Sequence, residues 1–538
     1  MGFFSTLLGG ICGQEDTFIM RNSTLLLPAA VLILSSSAPS DLEAKDWLTF
    51  SGNPQRTGWA KDETRITKEN VKGLRLEWKL QLDNQAKELN GLTVPVIIED
   101  IITPRGFKDV VVVAGSSDSL HAIDADTGRL LWEKKLTAGG TPKSPPHWLC
   151  PNALNATPVI DRATATVHVI ASDGKLHSLN VVGFEYRTPP AQFVPPFSKN
   201  WSLNLVDGVL YTTTSQGCNG ATSGVYSMDL KDPRRPVSFF QASTAGAGVW
   251  GRAGAAIASN GMVIVETGDG PYDTAAGKYS DTFLGLSRKD LKLVDYYTPA
   301  NREWITKKDL DMGNISPVVF PFKQWELVAG AGKEGVIYLL DAKSLGGADH
   351  RTPLFRSPLY TNEDVDFASR GFWGALSSWE DPQGTRWLYA PAWGRQAAGS
   401  PEFPISYGPT PGGSVMAFKL DVKDAKPILV PGWMSRDMSV PEPVIIANGI
   451  VFAISNGENT RQADSGGKIL SSKDRASTPT GRATLYAFNA ETGKELYSSG
   501  DTIPGWTHFS GLSISYGRIY VVTHDSILYC FGLERQTQ

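Results

Sequence analysis

The sequence predicts an all-β chain folded as an eight-bladed β-propeller of four-stranded antiparallel blades, its ring closed by strands from the two ends. Three observations lead there: a recurring hairpin, a second strand pair upstream of most copies, and chain ends that complement each other. The fullest hairpin is residues 120–132. It alternates toward a strand from Leu120 to Ile123, turns through Asp126-Thr127-Gly128, where glycine can take positive φ, and is apolar again through Trp132. Residues 485–497 repeat it with Tyr497 in place of the tryptophan, and looser copies begin at Leu176, Val225, Phe283, Ile337, Val415 and Leu528. The spacing, roughly 40 to 80 residues, is that of a propeller unit stretched by loop insertions.

Upstream strand pairs such as residues 444–454 and 513–522 complete the four-stranded unit. The last unit has no outer strand after Leu533, whereas residues 74–80 (Leu-Arg-Leu-Glu-Trp-Lys-Leu) form an outer strand with no hairpin before it. Pairing the two removes two exposed edges. Residues 46–60, rich in turn formers, read as an approach to that closing strand.

The N-terminal residues 1–40 read as a leader. From Met20 the run has a basic start at Arg21, a short apolar core over residues 25–34 and small residues through Ser40, the pattern of a secretory signal cleaved near Asp41. The expectation is therefore an exported, periplasmic or extracellular protein with one propeller domain over residues 41–538 and no membrane span in the mature chain. A net charge of −4, without a basic block, makes no electrostatic case for nucleic acid.

Four cysteines are present. Cys12 goes with the leader, Cys530 lies in an apolar strand as a buried thiol, and Cys150 and Cys218 lie in long loops of successive units. An exported protein can oxidise such a pair, and two free thiols are equally compatible with the sequence. Neither Cys-x-x-Cys-His nor His-Glu-x-x-His occurs, so covalent c-type haem and that zinc pattern are excluded.

The repeat Ala-x-Asp-x-x-Thr-Gly-x-x-x-Trp (residues 122–132), with residues 46–60, resembles the pyrroloquinoline-quinone (PQQ) dependent dehydrogenases and their PQQ-repeat propeller relatives, over nearly everything after residue 45. The resemblance implies PQQ, a flat tri-anion, held with Ca²⁺ by aromatic, cationic and oxygen groups. On residues 246–252 it implies that Trp250 forms the floor under the quinone and that glycines such as Gly248 let the plane approach the backbone. Arg252 is an added cation. Asp269 stands where the family carries an asparagine ligand to calcium. Asp309 and Asp311 are the two candidates for the catalytic base, Asp311 fitting better by its distance to the next strand, and Asp311 is also a candidate metal ligand with Asp269 and Asn219. Lys333, in Gly-Lys-Glu-Gly, matches the cation that bonds the quinone oxygens.

The chain also departs from the family. One cysteine, Cys150, stands where two adjacent ones are expected, the expected arginine is Asn155, and no glutamate ligand lies near residues 214–219, where only Gln216 or Asn219 offers an oxygen. Two functions follow as expectations. The first is a quinoprotein oxidoreductase that oxidises an alcohol or sugar with PQQ and a divalent cation and passes electrons to a separate acceptor. The alternative is a non-catalytic binding or assembly scaffold that has lost the cofactor.

Overall fold

The computed structural model describes residues 46–242, 247–458, 460, 466, 468, 470, 471, 474 and 481–534. The leader assigned to residues 1–40, with Met20 and Cys12, lies outside them. Eight antiparallel blades of four strands follow one another in a ring, with short extra strands beside blades 3, 6 and 7. Blades 1 to 8 begin at Val96–Thr103, Val159–Asp161, Asn204–Val206, Ala256–Ile257, Val318–Phe322, Ser377–Glu380, Ile445–Ala447 and Ser513–Ser515.

The third strand of every blade is one of the predicted repeat copies: Ser119–Asp124, Lys175–Asn180, Gly224–Asp229, Phe283–Leu286, Ile337–Asp341, Gly413–Lys423, Thr484–Asn489 and Ile527–Gly532. Their β-branched and aromatic residues suit a pleated surface covered on both faces. The core accordingly lies between neighbouring blades. Val110 and Val112 of blade 1 meet Val167 and Val169 of blade 2, and Ile264 of blade 4 meets Val319 and Val328 of blade 5. Each such side chain contributes about 1.5–3 kcal/mol when fully buried.

Closure occurs as the chain ends predict. Arg75–Gln81 is the outer strand of blade 8, antiparallel to Ile527–Gly532, with Leu76 opposite Phe531 and Leu80 opposite Leu528. The repeat motif also explains how blades dock. Trp433, on the outer strand of blade 6, packs on Gly493 in the turn of blade 7 and donates its indole N–H to Ala490 O at 2.8 Å. Trp78 does the same to Gly128, bonding Ala125 O at 3.1 Å across the seam between blades 8 and 1. The tryptophan and the Thr-Gly turn of the motif thus serve different blades.

Residues 46–63 are more than an approach to the closing strand. They run as an inner hoop that meets all eight blades in order. Trp47 exchanges backbone hydrogen bonds with Ile97 of blade 1, and Leu48 O accepts from Ile160 of blade 2. Pro54 O accepts from the Asn204 side chain of blade 3 and from Ile257 N of blade 4. Gln55, Thr57 and Gly58 carbonyls then accept from Val319, Ser378 and Ile446 of blades 5, 6 and 7, and Glu63 accepts from Gly517 N of blade 8. The inner edges of the first strands would otherwise be unpaired, and the hoop satisfies them. Fully buried Arg56 ties it together, donating to Thr49 Oγ1, Phe50 O, Leu203 O and Ala255 O.

Cys150 and Cys218 form a disulfide between the loop that leads into blade 2 and the loop that crosses the middle hairpin of blade 3, with Cα atoms 5.4 Å apart. Cys530 is buried and takes no part in that disulfide. Among the described residues no helix is long and apolar enough to cross a membrane.

Candidate cofactor site

Loops at one end of the ring enclose a cavity of about 290 Å³, lined among others by Trp250, Arg252, Asp269, Asp311 and Lys333. That volume suits a small organic ligand. Four connections deliver these residues, with Trp250 and Arg252 sharing one. Trp250 lies between blades 3 and 4, and Asp269 follows Val263–Glu266 of blade 4. Asp309 and Asp311 follow the helix Arg302–Lys307, and Lys333 lies in the turn between Trp325–Ala331 and Ile337–Asp341 of blade 5.

Backbone hydrogen bonds stitch three of these segments together: Gly268 N donates to Gly248 O at 2.9 Å, and Trp250 N to Gly313 O at 3.2 Å. Only glycine fits at 313, because a Cβ there would lie 2.5 Å from Gly268 N. Gly371 matters in the same way for Lys333. It has φ +97°, and a Cβ on it would stand 2.4 Å from Lys333 Cα.

Carboxylate oxygens of Asp269, Asp309 and Asp311 all lie within 4.8 Å of one another. Lys333 Nζ bonds Asp311 Oδ2 at 2.5 Å and reaches Asp309 Oδ1 at 3.4 Å, while Asp269 N donates to Asp311 Oδ1 at 2.8 Å. Burial, with the Asp311 charge beside it, pushes Asp269 up to about 7. Burial likewise pushes Asp309 up to about 6, against the pull of Lys333. Burial opposes ionisation of Asp311 too, but the Lys333 charge and the hydrogen bonds from Lys333 and Asp269 N together hold it below the usual carboxylate value. Three carboxylates facing one ammonium leave negative charge that a cation would compensate.

A row of rings extends from this cluster. Trp250 meets Trp373 edge-on at 5.8 Å, Trp373 stacks on Trp393 at 4.4 Å, and Trp393 stacks on Phe509 at 5.3 Å. Lys333 Nζ sits over Trp250 and Trp373, at 5.2 and 5.4 Å from their centroids. Arg252 lies over Phe509, at 4.0 Å.

The cavity brings together Trp250, Arg252, Asp269, Asp311 and Lys333 from the expected set, and Asp309 and Gln216 line it as well. Asn219 and Gly248 do not line it. The Asn219 side chain is engaged with Lys143 N, Asn152 Oδ1 and Phe197 O, beside the disulfide. A Cβ on Gly248 would meet Ser215 Cβ at 2.8 Å, so this glycine allows segments to pack rather than a ligand to approach. Trp373, Trp393, Glu458 and His508 also line the cavity. Trp393 ends the strand Arg386–Trp393 and the other three stand in loops, all outside the repeat motif, and no spacing signal in the sequence marks them.

The PQQ_2 family model, described as outer membrane protein assembly factor BamB, matches residues 54–235. That match places PQQ-type repeats in residues 54–235 of the eight-bladed ring. No curated relative matches the sequence of the chain. Its fold is similar to quinohemoprotein alcohol dehydrogenase from Comamonas testosteroni, with TM-score 0.57, 14% identity, and coverage of 92% of this chain and 82% of that one. It is also similar to a europium-containing methanol dehydrogenase, with TM-score 0.58, 13% identity and coverage of 91% and 98%. Quinohemoprotein alcohol dehydrogenase ADHIIG from Pseudomonas putida HK5 matches at TM-score 0.57 and 12% identity, covering 92% and 81%. At these identities the likeness concerns the fold.

The residues lining the cavity fit the cofactor pair that the sequence suggests. Asp269, Asp309 and Asp311 are hard oxygen donors close enough to share a divalent cation. Trp250, Lys333 and Arg252 offer an aromatic face and two cations to a flat polyanion.

Proposed function

We infer that the chain is a quinoprotein oxidoreductase that oxidises an alcohol or sugar with PQQ and a divalent cation. The observation that carries this reading is the convergence of Trp250, Asp269, Asp311 and Lys333, from separate connections of the ring, on one cavity. When bound, PQQ supplies a two-electron acceptor and the cation supplies a Lewis acid.

The chain's own groups then divide the work. Trp250 is the stacking surface, and Lys333 and Arg252 are the cations that orient the ligand. Asp269 and Asp311 hold the metal. Both oxygens of Asp311 are already engaged, one by Lys333 and one by Asp269 N. The proton-accepting role therefore suits Asp309 better than Asp311, since Asp309 is exposed to the cavity and its carboxyl is raised toward neutrality. Electrons pass to a separate acceptor, and the mature protein works outside the cytoplasm, as the leader suggests.

Purified chain titrated with PQQ and Ca²⁺ tests this. A ligand held only by the folded state adds about 2.7 kcal/mol at a hundred times its dissociation constant, a readily measured melting shift. Dye-linked oxidation of a primary alcohol or aldose should accompany it. No shift with PQQ and Ca²⁺ together would return the propeller to the scaffold reading.

A further inference from the structure

We propose that Arg252, oriented by a His508–Glu458 relay, is the anchor for the carboxylates of the bound cofactor. The proposal rests on the PQQ reading above. Arg252 and Lys333 line one cavity but sit over different members of the aromatic row, Lys333 over Trp250 and Trp373 and Arg252 over Phe509. The cavity therefore presents a metal-binding cluster in one part and a separate cation in another. A flat ligand with a quinone edge and a carboxylate edge matches that division.

The geometry around Arg252 is that of a fixed anion receptor. Its guanidinium lies against Trp201, at 4.7 Å from the ring centroid, and Phe509, at 4.0 Å, so aromatic faces orient its plane. Arg252 Nη2 stands 3.1 Å from His508 Nε2, and His508 Nδ1 stands 2.6 Å from Glu458 Oε2. A guanidinium only donates, so His508 Nε2 must accept, and the ring proton lies on Nδ1 and is donated to Glu458. The relay fixes the tautomer of the histidine and the rotation of the guanidinium without moving a charge.

Among the described residues His508 is the one hydrogen-bond partner of that guanidinium. A guanidinium carries five N–H groups, so others are left for a ligand. Lys199, over Trp201 at 5.3 Å, lines the same cavity and adds a second positive charge. Asn155 borders a small void shared with Arg252 and His508, and its buried Oδ1 has no partner among the described residues. The Asn155 side-chain N–H group donates to Asn200 O, whereas Arg252 reaches the same space from the connection between blades 3 and 4.

Tryptophan-fluorescence titration with PQQ and with its trimethyl ester, both with Ca²⁺, tests the assignment. Wild-type protein should bind the tri-acid about a hundredfold more tightly than the ester, the scale of a bidentate charge-assisted contact. Arg252→Met should remove that preference by weakening PQQ binding and leaving ester binding unchanged. His508→Phe should act in the same direction, and His508→Gln, which keeps an acceptor for Arg252, should restore part of the preference. Equal affinity of wild-type protein for acid and ester would overturn the anchor without any variant. So would an Arg252→Met protein that keeps the preference. Failure of wild-type protein to bind either compound would instead overturn the cofactor reading beneath it.

Discussion

Lys333 Nζ lies 2.5 Å from Asp311 Oδ2, and both side chains are almost sealed from solvent, at 6% and 5% exposure. Removing one partner of such a pair leaves a buried charge and costs about 3–5 kcal/mol. Lys333→Met should therefore lower unliganded stability, measured by urea unfolding, and Ca²⁺ should restore more of it than it adds to wild type, because three carboxylates would then face no ammonium. A variant as stable as wild type and indifferent to Ca²⁺ would contradict the charge assignment.

Gly493→Ala and Gly128→Ala should each destabilise by about 2 kcal/mol or more, since overpacking and an unfavourable φ combine. Both glycines have φ near +70°, and a Cβ would stand 2.4 Å from the Trp433 ring in one case and 2.5 Å from the Trp78 ring in the other. Trp433→Phe, which keeps a ring but loses the bond to Ala490 O, should cost less than Trp433→Ala. Melting temperatures that rank the other way would refute the docking role.

Deleting residues from Ile527 onward strips blade 8 of its third strand, leaving Arg75–Gln81 without a partner and Arg518–Val522 as an open edge. Cooperative unfolding should be lost or shifted strongly downward. Arg56→Met should weaken the ring from inside, because four buried acceptors each lose a hydrogen bond and only Leu203 O and Ala255 O keep another donor, Thr49 Oγ1 and Asn204 Nδ2. Near-normal melting of the truncated chain would argue against closure as a stabilising element.

Burial holds His121 and His168 down to about 4, and both ring nitrogens of His121 lack a partner among the described residues. An unfolded histidine titrates near 6.5, so between about 6.5 and 4 the unfolded chain binds the proton and the native one does not. Stability from this source is fully present above about pH 6.5 and falls as pH drops toward 4, by at most roughly 3 kcal/mol per residue. Raised carboxyl groups such as Asp281 work in the opposite direction, so the difference between wild type and His121→Leu isolates the effect. That difference should shrink or reverse in favour of the variant as pH falls from 7 to 4.5, and a difference independent of pH would refute it.

If residues 20–40 are a cleaved signal, the mature protein begins close to Asp41. Mass spectrometry of protein from the native host should show that start, and an intact leader would contradict export by cleavage.

The sequence by itself determined the blade count, the third strand of every blade and the closing pair, because strand alternation is local and recurs eight times, the Thr-Gly turn surviving in two of the copies. Trp250 and Asp311 lie in connections between blades and Asp269 and Lys333 in connections between second and third strands, and the ring brings both kinds to one end. Tertiary structure decided the rest. Residues 46–63 show no periodicity, because a hoop that meets each blade once takes its shape from the partners rather than from its own pattern. Cys150 and Cys218 are 68 residues apart, and only the approach of their two loops joins them. Asn219 lies in the right segment but spends its amide on neighbouring loops, and the engagement of Asp311 with Lys333 and Asp269 N cannot be read from spacing. Hydrogen bonds and ion pairs of this kind depend on angstrom distances between distant loops, which the packing of blades around the hoop sets and no local pattern encodes.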